Sequence, residues 1–508
     1  MKSLVHLHVL ILGLGASGLA LARWCDRSGA DVTVADTRPA PPQLVALKAS
    51  VPKAGFVNVA MNAALLDIKK FDLVLKSPGL SPAALSGVVD AARAQGIACG
   101  NELSVFAQAL ADLKHDTAYS PQVIGITGTN GKTTVTSLAG LLIERAGKSV
   151  AVAGNIGPTL LDTLADKLDA QAGEPPVALP DVWVLELSSF QLEGVTNFEP
   201  TVATVLNITQ DHLDWHEDLP AYMAAKAHVY GAGGAMLLNR NDPLVMQALP
   251  GPGKSNSNSK AGRSYQTFGI DQPGHPGDYG IETVNGMAWL VRAGQADEFL
   301  GRRRRADTAP LHLQRLMPVD ALQIHGLHNA ANALAALALA SSAGCALAPM
   351  LHGLREYRGE PHRMESVAVL DGVEYFDDSK GTNVGATAAA LSGLGSERRL
   401  VVILGGEGKG QDFTPLAEPV ARHARAIVLI GRDAPRIKAA LRGTGVGLLD
   451  AASMQEAVAL AALHAQAGDA VLMSPACASF DMFDDYAHRA RVFRDAVREL
   501  AAEQGAVL

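Results

Sequence analysis

The stretch Ile124-Gly-Ile-Thr-Gly-Thr-Asn-Gly-Lys-Thr-Thr134 decides the fold of this 508-residue chain. It predicts a strand over Val123 to Thr127, a glycine-rich turn, and a helix from Lys132 to about Ala146. Backbone N–H groups and the helix dipole would converge there on phosphate oxygens. The strict spacing G-x-x-x-x-G-K is absent, because Ile126 replaces its first glycine. The candidate ATP-binding residues are Gly128, Thr129, Asn130, Gly131, Lys132, Thr133 and Thr134.

Three further side chains follow two apolar strands downstream. The strand Trp183 to Leu187 carries Glu186, which alone could be an edge-strand charge but beside a phosphate loop is a candidate Mg²⁺ ligand. His212 follows a strand over Val202 to Leu206; a lone histidine there is usually structural, but we expect its strand to neighbour that of Glu186, which favours a metal role. Lys226 lies further along. The hydroxyl of Thr133 is a further candidate metal ligand.

Other glycine turns mark two more nucleotide-type units. The turn Gly13-Leu-Gly-Ala-Ser-Gly18 with Asp36 fits G-x-G-x-x-G, and this motif indicates NAD as readily as any other nucleotide. The stretches 377–383 and 405–410 each follow a predicted strand and should lie at the carboxyl edge of a sheet. Their Lys380 and Lys409 could also be solvated loop charges.

The composition excludes some classes of protein. A formal net charge of −8 gives no reason to expect binding to nucleic acid or to an anionic membrane surface. Four scattered cysteines argue against a zinc site and fit a reducing compartment. The apolar stretch from Val9 to Ala22 could pass for a secretory signal, but glycines interrupt it, so we expect a cytoplasmic protein without membrane insertion.

Alternating strands and helices predict an α/β protein of three domains. These are a Rossmann-like N-terminal domain over 1–117, a central P-loop-type ATPase domain with a parallel sheet over 118–361, and a Rossmann-like C-terminal domain over 362–508. Within the central domain, 251–320 is interpreted as an inserted loop region without a catalytic role. Its arginine run at 302–305 is either solvated or an anion-binding patch.

Together these motifs resemble the Mur ligases, which build the peptide stem of peptidoglycan. Within that family, 13–18, 36–38, 77–79, 186–193 and 474–479 look like the members that add D-glutamate to UDP-N-acetylmuramoyl-L-alanine. The Asp-Asn-Pro-Arg signature of diaminopimelate- or lysine-adding members is absent. The resemblance implies an ATP- and Mg²⁺-dependent ligase with those two substrates, and we expect a monomer.

The resemblance also implies residue roles. Lys132, His212, Lys226 as a carbamate, and Arg363 would be catalytic, and Thr133, Glu186, His212 and carbamylated Lys226 would bind metal. Asn329, Asn332, Arg363 and Asp378 would join the loop in binding ATP. The UDP substrate would contact Gly15, Ala16, Ser17, Asp36, Thr37, Arg38, Ser77, Asn155 and Gln191. D-Glutamate would contact Lys380, Thr382, Lys409, Ser479 and Phe480, with Tyr486 where relatives can place phenylalanine.

Two other classes of function stay open at this point. An NAD-dependent oxidoreductase could use the turn over 13–18, although it would leave the loop around Lys132 without a role. A non-catalytic nucleotide sensor would bind ATP without releasing ADP in response to substrates.

Overall fold

The computed structural model describes residues 4–249, 263–295 and 311–505. Three sheets, of five, nine and six strands, each come from one continuous stretch of the chain and are flanked by helices. This is the predicted three-domain α/β class of fold, with a mainly parallel sheet in each domain.

The strands alternate with helices along most of the chain. The strands are β1 (His8–Leu12), β2 (Asp31–Asp36), β3 (Gly55–Asn58), β4 (Leu73–Lys76), β5 (Ala98–Asn101), β6 (Gln122–Thr127), β7 (Val150–Gly154), β8 (Val182–Glu186), β9 (Val202–Val205), β10 (Ala235–Asn239), β11 (Tyr265–Phe268), β12 (Tyr279–Val284), β13 (Met287–Gln295), β14 (Leu311–Pro318), β15 (Glu365–Leu370), β16 (Val373–Asp377), β17 (Leu400–Gly405), β18 (Ala424–Ile430), β19 (Gly447–Asp450) and β20 (Ala470–Met473).

The helices cover both faces of the sheets. They are α1 (Ala16–Arg27), α2 (Leu44–Ser50), α3 (Pro82–Ala94), α4 (Glu102–Thr117), α5 (Lys132–Arg145), α6 (Leu160–Ala172), α7 (Ser189–Leu192), α8 (Leu213–His216), α9 (Leu219–Ala227), α10 (Pro243–Met246), α11 (Leu327–Ser342), α12 (Leu347–Glu356), α13 (Val384–Gly395), α14 (Ala417–His423), α15 (Ala434–Leu441), α16 (Met454–His464) and α17 (Tyr486–Glu503).

The first sheet is wholly parallel and has the order β3-β2-β1-β4-β5. The order reverses beside β1, so the turn that follows β1 lies at the switch point where such sheets bind ligands. The third sheet, in the order β15-β16-β20-β17-β18-β19, is parallel except for the antiparallel edge strand β15.

The central sheet has the order β14-β13-β12-β11-β10-β9-β6-β8-β7. Strand β6 is buried along most of its length, and the phosphate-loop stretch follows it directly. Strand β6 separates β8 from β9, so the expectation that Glu186 and His212 follow neighbouring strands is wrong. Both still follow strands that end at the same edge as β6.

The interpretation of 251–320 as a loop region is wrong for its described part. Strands β11 to β14 extend the central sheet through two parallel pairings, β10 with β11 and β11 with β12, and two antiparallel pairings. Polar and glycine-rich connections obscured these strands in the sequence, although buried Tyr279 and Ile281 of β12 pack on the core beneath α11. The arginine run at 302–305 lies outside the described residues.

The first and central domains share one apolar core. Buried residues of both domains form a continuous cluster, in which Phe106 of α4 meets Trp183 of β8 edge to face with ring centroids 5.2 Å apart. The apolar clusters of the third domain contain only residues of that domain. The first two domains are therefore joined by hydrophobic packing, which attaches domains more strongly than polar contacts alone.

Candidate active site

The loop between β6 and α5 depends on two glycines. Gly128 has a φ of +152°, and a Cβ there would lie 2.9 Å from the Cβ of Leu206. Gly131 has a φ of +83°, and a Cβ there would lie 2.7 Å from Oδ1 of Asn332. Neither conformation suits a residue with a side chain. The loop thus passes close to β9 on one side and to α11 on the other.

Two lysines point at the same carbonyl of this loop. Nζ of Lys132 donates to the carbonyl oxygens of Gly128 and Thr129, both at 2.9 Å. Nζ of Lys226, which is 1% exposed, also donates to Gly128 O at 2.9 Å. Burial lowers the pKa of both lysines, and the charge of Lys132 lowers the pKa of Lys226 further. Two buried positive charges this close repel each other. The site therefore favours either the binding of an anion or the neutral form of Lys226.

Glu186 offers a free carboxylate oxygen beside these lysines. It is 1% exposed, and its Oε1 accepts from Nδ2 of Asn155 at 2.7 Å. Its Oε2 is buried and has no hydrogen-bond partner among the described residues. A buried carboxylate oxygen without a partner is costly, and a hard cation such as Mg²⁺ would satisfy it. The residues present therefore fit a divalent metal.

His212 lies at the same edge, in a left-handed conformation with a φ of +55° just before α8. Its ring packs edge to face on Phe190, with centroids 4.7 Å apart. Burial lowers the pKa of His212, Asp211 opposes this, and the charges of Lys132, Lys409 and Lys226 add to the lowering. A neutral imidazole is the form that binds metals.

The central and third domains meet at the loop through polar side chains. Nη2 of Arg363 donates to Oγ1 of Thr133 at 3.2 Å, while its Nε has no partner among the described residues. Nδ2 of Asn383 donates to Oδ1 of Asn130 at 3.0 Å and to Oδ2 of Asp211 at 3.3 Å. This role of Asn383 was not predictable from the sequence, because its partners are far away in the chain.

A cavity of about 430 Å³ opens between these two domains. Its lining includes the predicted Asn329 and Asn332 of α11, Arg363, and the buried Asp378. Nδ2 of Asn332 donates to Oδ1 of Asn329 at 3.1 Å. Burial raises the pKa of Asp378 to about 7, although the hydroxyl of Ser474 donates to it at 2.7 Å. The volume is within the range of small-molecule sites.

The residues predicted to receive D-glutamate lie on the third domain. The ammonium of Lys380 lies 5.4 Å from the ring centre of Tyr486, and that of Lys409 lies 5.9 Å from the ring centre of Phe480. Burial and then Arg363 lower the pKa of Lys380, whereas Glu186 opposes that effect. These interactions place Lys380 and Lys409 towards the central domain. Ser479 is buried, and Thr382 is half-buried beside Asn383.

The residues predicted to bind the UDP substrate form two groups. In the first domain, a Cβ on Gly15 would lie 3.7 Å from Oγ of Ser77, and Asp36 accepts from the backbone of Leu14 and from Arg38. Arg38 lowers the pKa of Asp36 to about 2. Ala16, Thr37 and Arg38 are exposed.

The second group lies in the central domain. Asn155 is exposed and holds Glu186, whereas Gln191 is buried. The Oε1 of Gln191 accepts from the backbone and the hydroxyl of Ser188, both at 3.0 Å. In the described parts of the chain neither residue forms a hydrogen bond with the turn over 15–17, so their shared pocket stays a prediction.

One acidic cluster outside the site resembles a metal centre. His362, Glu365 and Asp377 bring their ligand atoms within 4.8 Å of one another. Arg494 occupies the space between them: its guanidinium pairs with Glu365 and donates to Asp377 at 3.2 Å. The cluster is therefore an ion network that anchors the segment before Arg363.

No helix in the described ranges has both the length and the apolar character needed to cross a membrane.

The fold and site define a three-domain protein with a glycine loop that suits a nucleotide phosphate, beside buried lysines and a carboxylate that fits a divalent metal. Three family models match successive parts of the chain: the Mur ligase MurD-like N-terminal domain at 7–100, the Mur ligase middle domain at 126–272, and the Mur ligase glutamate ligase domain at 362–477. The chain belongs to the Mur ligase family.

Curated relatives are similar over the whole chain. A protein of Albidiferax ferrireducens named UDP-N-acetylmuramoylalanine--D-glutamate ligase is 64% identical over 100% of this chain and 99% of its own. A protein of Burkholderia mallei with the same name is 57% identical over 98% of both chains.

Solved structures of other members share the fold. The MurF ligase of Thermotoga maritima in complex with ADP has a TM-score of 0.56 at 15% identity, covering 99% of this chain and 100% of that one. The UDP-N-acetylmuramate-alanine ligase of the same organism has a TM-score of 0.52 at 20% identity, covering 97% and 100%.

Proposed function

We propose that this chain joins D-glutamate to UDP-N-acetylmuramoyl-L-alanine at the expense of ATP, in cytoplasmic synthesis of the peptidoglycan precursor. The names of relatives with 64% and 57% identity over nearly the whole chain support the choice of substrates. The observation that carries the reaction is the convergence of Lys132, Lys226 and an unpartnered oxygen of Glu186 at one glycine loop.

ATP binds in the cavity between the central and third domains. The phosphates lie on the loop over 128–134 at the start of α5, where the N–H groups of the first helical turn have no partner within the helix. Asn329 and Asn332 contact the adenine, and Asp378 contacts the ribose. Arg363 reaches the phosphates, since its guanidinium is already at Thr133 and has a free Nε.

Thr133, Glu186, His212 and a carbamate on Lys226 would hold Mg²⁺. Bound there, the ion would supply positive charge that neutralises the phosphates. The low pKa of Lys226 supports carbamylation, because only a neutral amine captures CO₂. The new carboxylate would also remove the repulsion between Lys226 and Lys132.

The reaction then proceeds in two steps. The carboxylate of the L-alanyl group attacks the γ-phosphorus of ATP, and the bond from that phosphorus to the bridging oxygen of the β-phosphate breaks. ADP departs, and the L-alanyl carboxylate has become an acyl phosphate. The amine of D-glutamate attacks the acyl carbon, phosphate leaves from the tetrahedral intermediate, and the amine loses a proton. Lys132 and Arg363 stabilise the charge that moves in the first step.

The two substrates arrive from opposite domains. Gly15, Ala16 and Ser17 face the diphosphate, Asp36, Thr37 and Arg38 surround the uracil, and Ser77, Asn155 and Gln191 complete that pocket. Lys380, Thr382, Lys409, Ser479 and Phe480 receive D-glutamate, whose two carboxylates suit two lysines. We place the domains at 1–117, 118–361 and 362–508 and propose that the protein acts as a monomer.

The test is release of ADP from ATP in the presence of UDP-N-acetylmuramoyl-L-alanine and one of four acceptors: D-glutamate, L-glutamate, L-lysine or diaminopimelate. We expect release with D-glutamate only, and the Lys132→Ala variant is the matched control. Equal release with another acceptor would contradict the proposed specificity. ATP binding without release would favour a nucleotide sensor, and binding of a nicotinamide nucleotide would favour an oxidoreductase.

A further inference from the structure

A buried carboxylate outside the proposed ligand contacts lies where three helices begin. Glu102 is the first residue of α4 and is 1% exposed. Its Oε1 accepts from the backbone N–H of Leu161, in the first turn of α6, at 3.1 Å. Its Oε2 has no hydrogen-bond partner among the described residues. Burying a carboxyl group in this way costs free energy, so its retention calls for a reason.

One side of Glu102 faces the first domain. Burial raises the pKa of Glu102, and the hydroxyl of Ser17 is the largest influence that opposes the rise. Ser17 lies at the start of α1, directly after Gly15 and Ala16. Because α1 also packs against α4 and α6, Glu102 lies beside the turn that we assign to the diphosphate of the UDP substrate.

The other side of Glu102 leads to the proposed metal site. The segment before α6 folds back on itself, because the N–H of Gly154 donates to Pro158 O at 2.9 Å. In that segment Asn155 donates through its backbone to Glu186 O at 2.8 Å and through its side chain to Glu186 Oε1 at 2.7 Å. A short chain of hydrogen bonds and backbone thus joins Glu102 to Glu186.

We propose that Glu102 is a positioning residue that fixes the diphosphate turn relative to Glu186, so that the acyl end of the UDP substrate reaches the site of phosphoryl transfer. This inference rests on the proposed function. The substrate spans both domains, whereas most of the residues that we assign to UDP lie in the first. A displacement of the diphosphate turn relative to Glu186 would therefore lower kcat/KM for the whole substrate more than it lowers the affinity for UDP.

General docking of α1 on α6 has other sources. Arg27 forms a two-pronged ion pair with Asp169, at 2.9 and 2.7 Å, and Arg23 lies 3.5 Å from Asp162. Both pairs are partly exposed, and the pair of Arg27 with Asp169 is remote from the helix starts. Arg27→Ala is therefore a matched control that disturbs the same interface without touching the carboxylate.

The main test variant is Glu102→Met, because an apolar side chain of similar shape can replace a buried charge without loss of stability. We expect this variant to melt no more than a few degrees below wild type, which thermal denaturation will show. Its kcat/KM for UDP-N-acetylmuramoyl-L-alanine should fall on the order of 100-fold. The KM for ATP and the Kd for UDP, measured by calorimetry, should stay within about threefold.

Glu102→Gln keeps an acceptor oxygen for Leu161 and should retain kcat/KM within about fivefold, as should Arg27→Ala. A stable Glu102→Met variant with wild-type kinetics would overturn the proposal, and so would an equal loss of affinity for UDP. If Glu102→Met does not fold, full loss of activity in a folded Glu102→Gln variant would overturn it. Wild-type protein that releases no ADP with D-glutamate would instead refute the proposed function.

Discussion

Replacing Gly131 with alanine, beside a control variant, separates two effects at the phosphate loop: backbone strain and the contact with Asn332. Gly131 has a φ of +83°, and a Cβ there would meet Oδ1 of Asn332 at 2.7 Å. Gly147, just after α5, has a φ of +84°, but a Cβ there would have nothing within 4 Å. Gly147→Ala is therefore a matched control that imposes the same backbone strain without the contact.

The backbone strain should cost each variant about 1–2 kcal/mol, because an L-residue is disfavoured in the left-handed region. Gly131→Ala must also push Asn332 away by roughly half an ångström to reach an ordinary contact distance. That movement breaks the 3.1 Å bond from Asn332 to Asn329, worth about 0.5–1.5 kcal/mol. We therefore expect a total cost of about 2–3 kcal/mol for Gly131→Ala.

Function should separate the two variants more clearly than stability. Asn332 and Asn329 line the proposed ATP cavity, so Gly131→Ala should raise the KM for ATP about tenfold or more, as expected for a loss of roughly 1.4 kcal/mol of binding. Gly147→Ala should leave it within about twofold. Thermal denaturation and ADP release at varied ATP measure both effects. An equal KM for the two variants would show that the contact with Asn332 does not shape the ATP site.

Three further changes test the other parts of the site. Lys132→Ala should lower kcat on the order of 100- to 1000-fold, and near-normal turnover in ADP release would remove its assigned role. Lys226→Ala should be nearly inactive and regain part of its activity with short carboxylic acids but not with chloride; full activity without additives would show that no carbamate is needed. Because the pKa of Asp378 is raised to about 7, its contribution to stability is present at low pH and is lost as pH rises from about 3.8 to 7. In thermal denaturation, the free energy of unfolding of Asp378→Asn should therefore exceed that of wild type by a margin that grows from pH 5.5 to pH 8, by at most about 2 kcal/mol. A margin that stays constant over this pH range would contradict this expectation.

Apolar runs followed by glycines predicted most of the fold. The ends of strands β6, β8 and β9 lie within one residue of the predicted bounds. These strands are buried on both faces, so their sequences are continuous apolar runs that turn residues end sharply. The loop around Lys132 was predictable for the same reason, since its function requires a strand, a turn and a helix in direct succession.

Features that depend on distant pairing were not predictable. Strands β12 and β14 show no regular alternation of burial, and single-sequence patterns do not separate such strands from polar loops. The insertion of β6 between β8 and β9 is a matter of sheet order, which the chain sequence does not state. Asn383 and Glu102 gain their roles from partners in other domains, and in the sequence each is an ordinary helix-start residue.

The difference between the two domain junctions bears on how the site is assembled. The first and central domains share an apolar core, so the distance from the diphosphate turn to Glu186 is set when the protein folds. The central and third domains meet at the loop through polar contacts such as that of Arg363 with Thr133. Such polar contacts are individually weak. We therefore expect ATP, which would touch both sides of the cavity between these domains, to supply much of the free energy that brings Lys380 and Lys409 to the reacting groups.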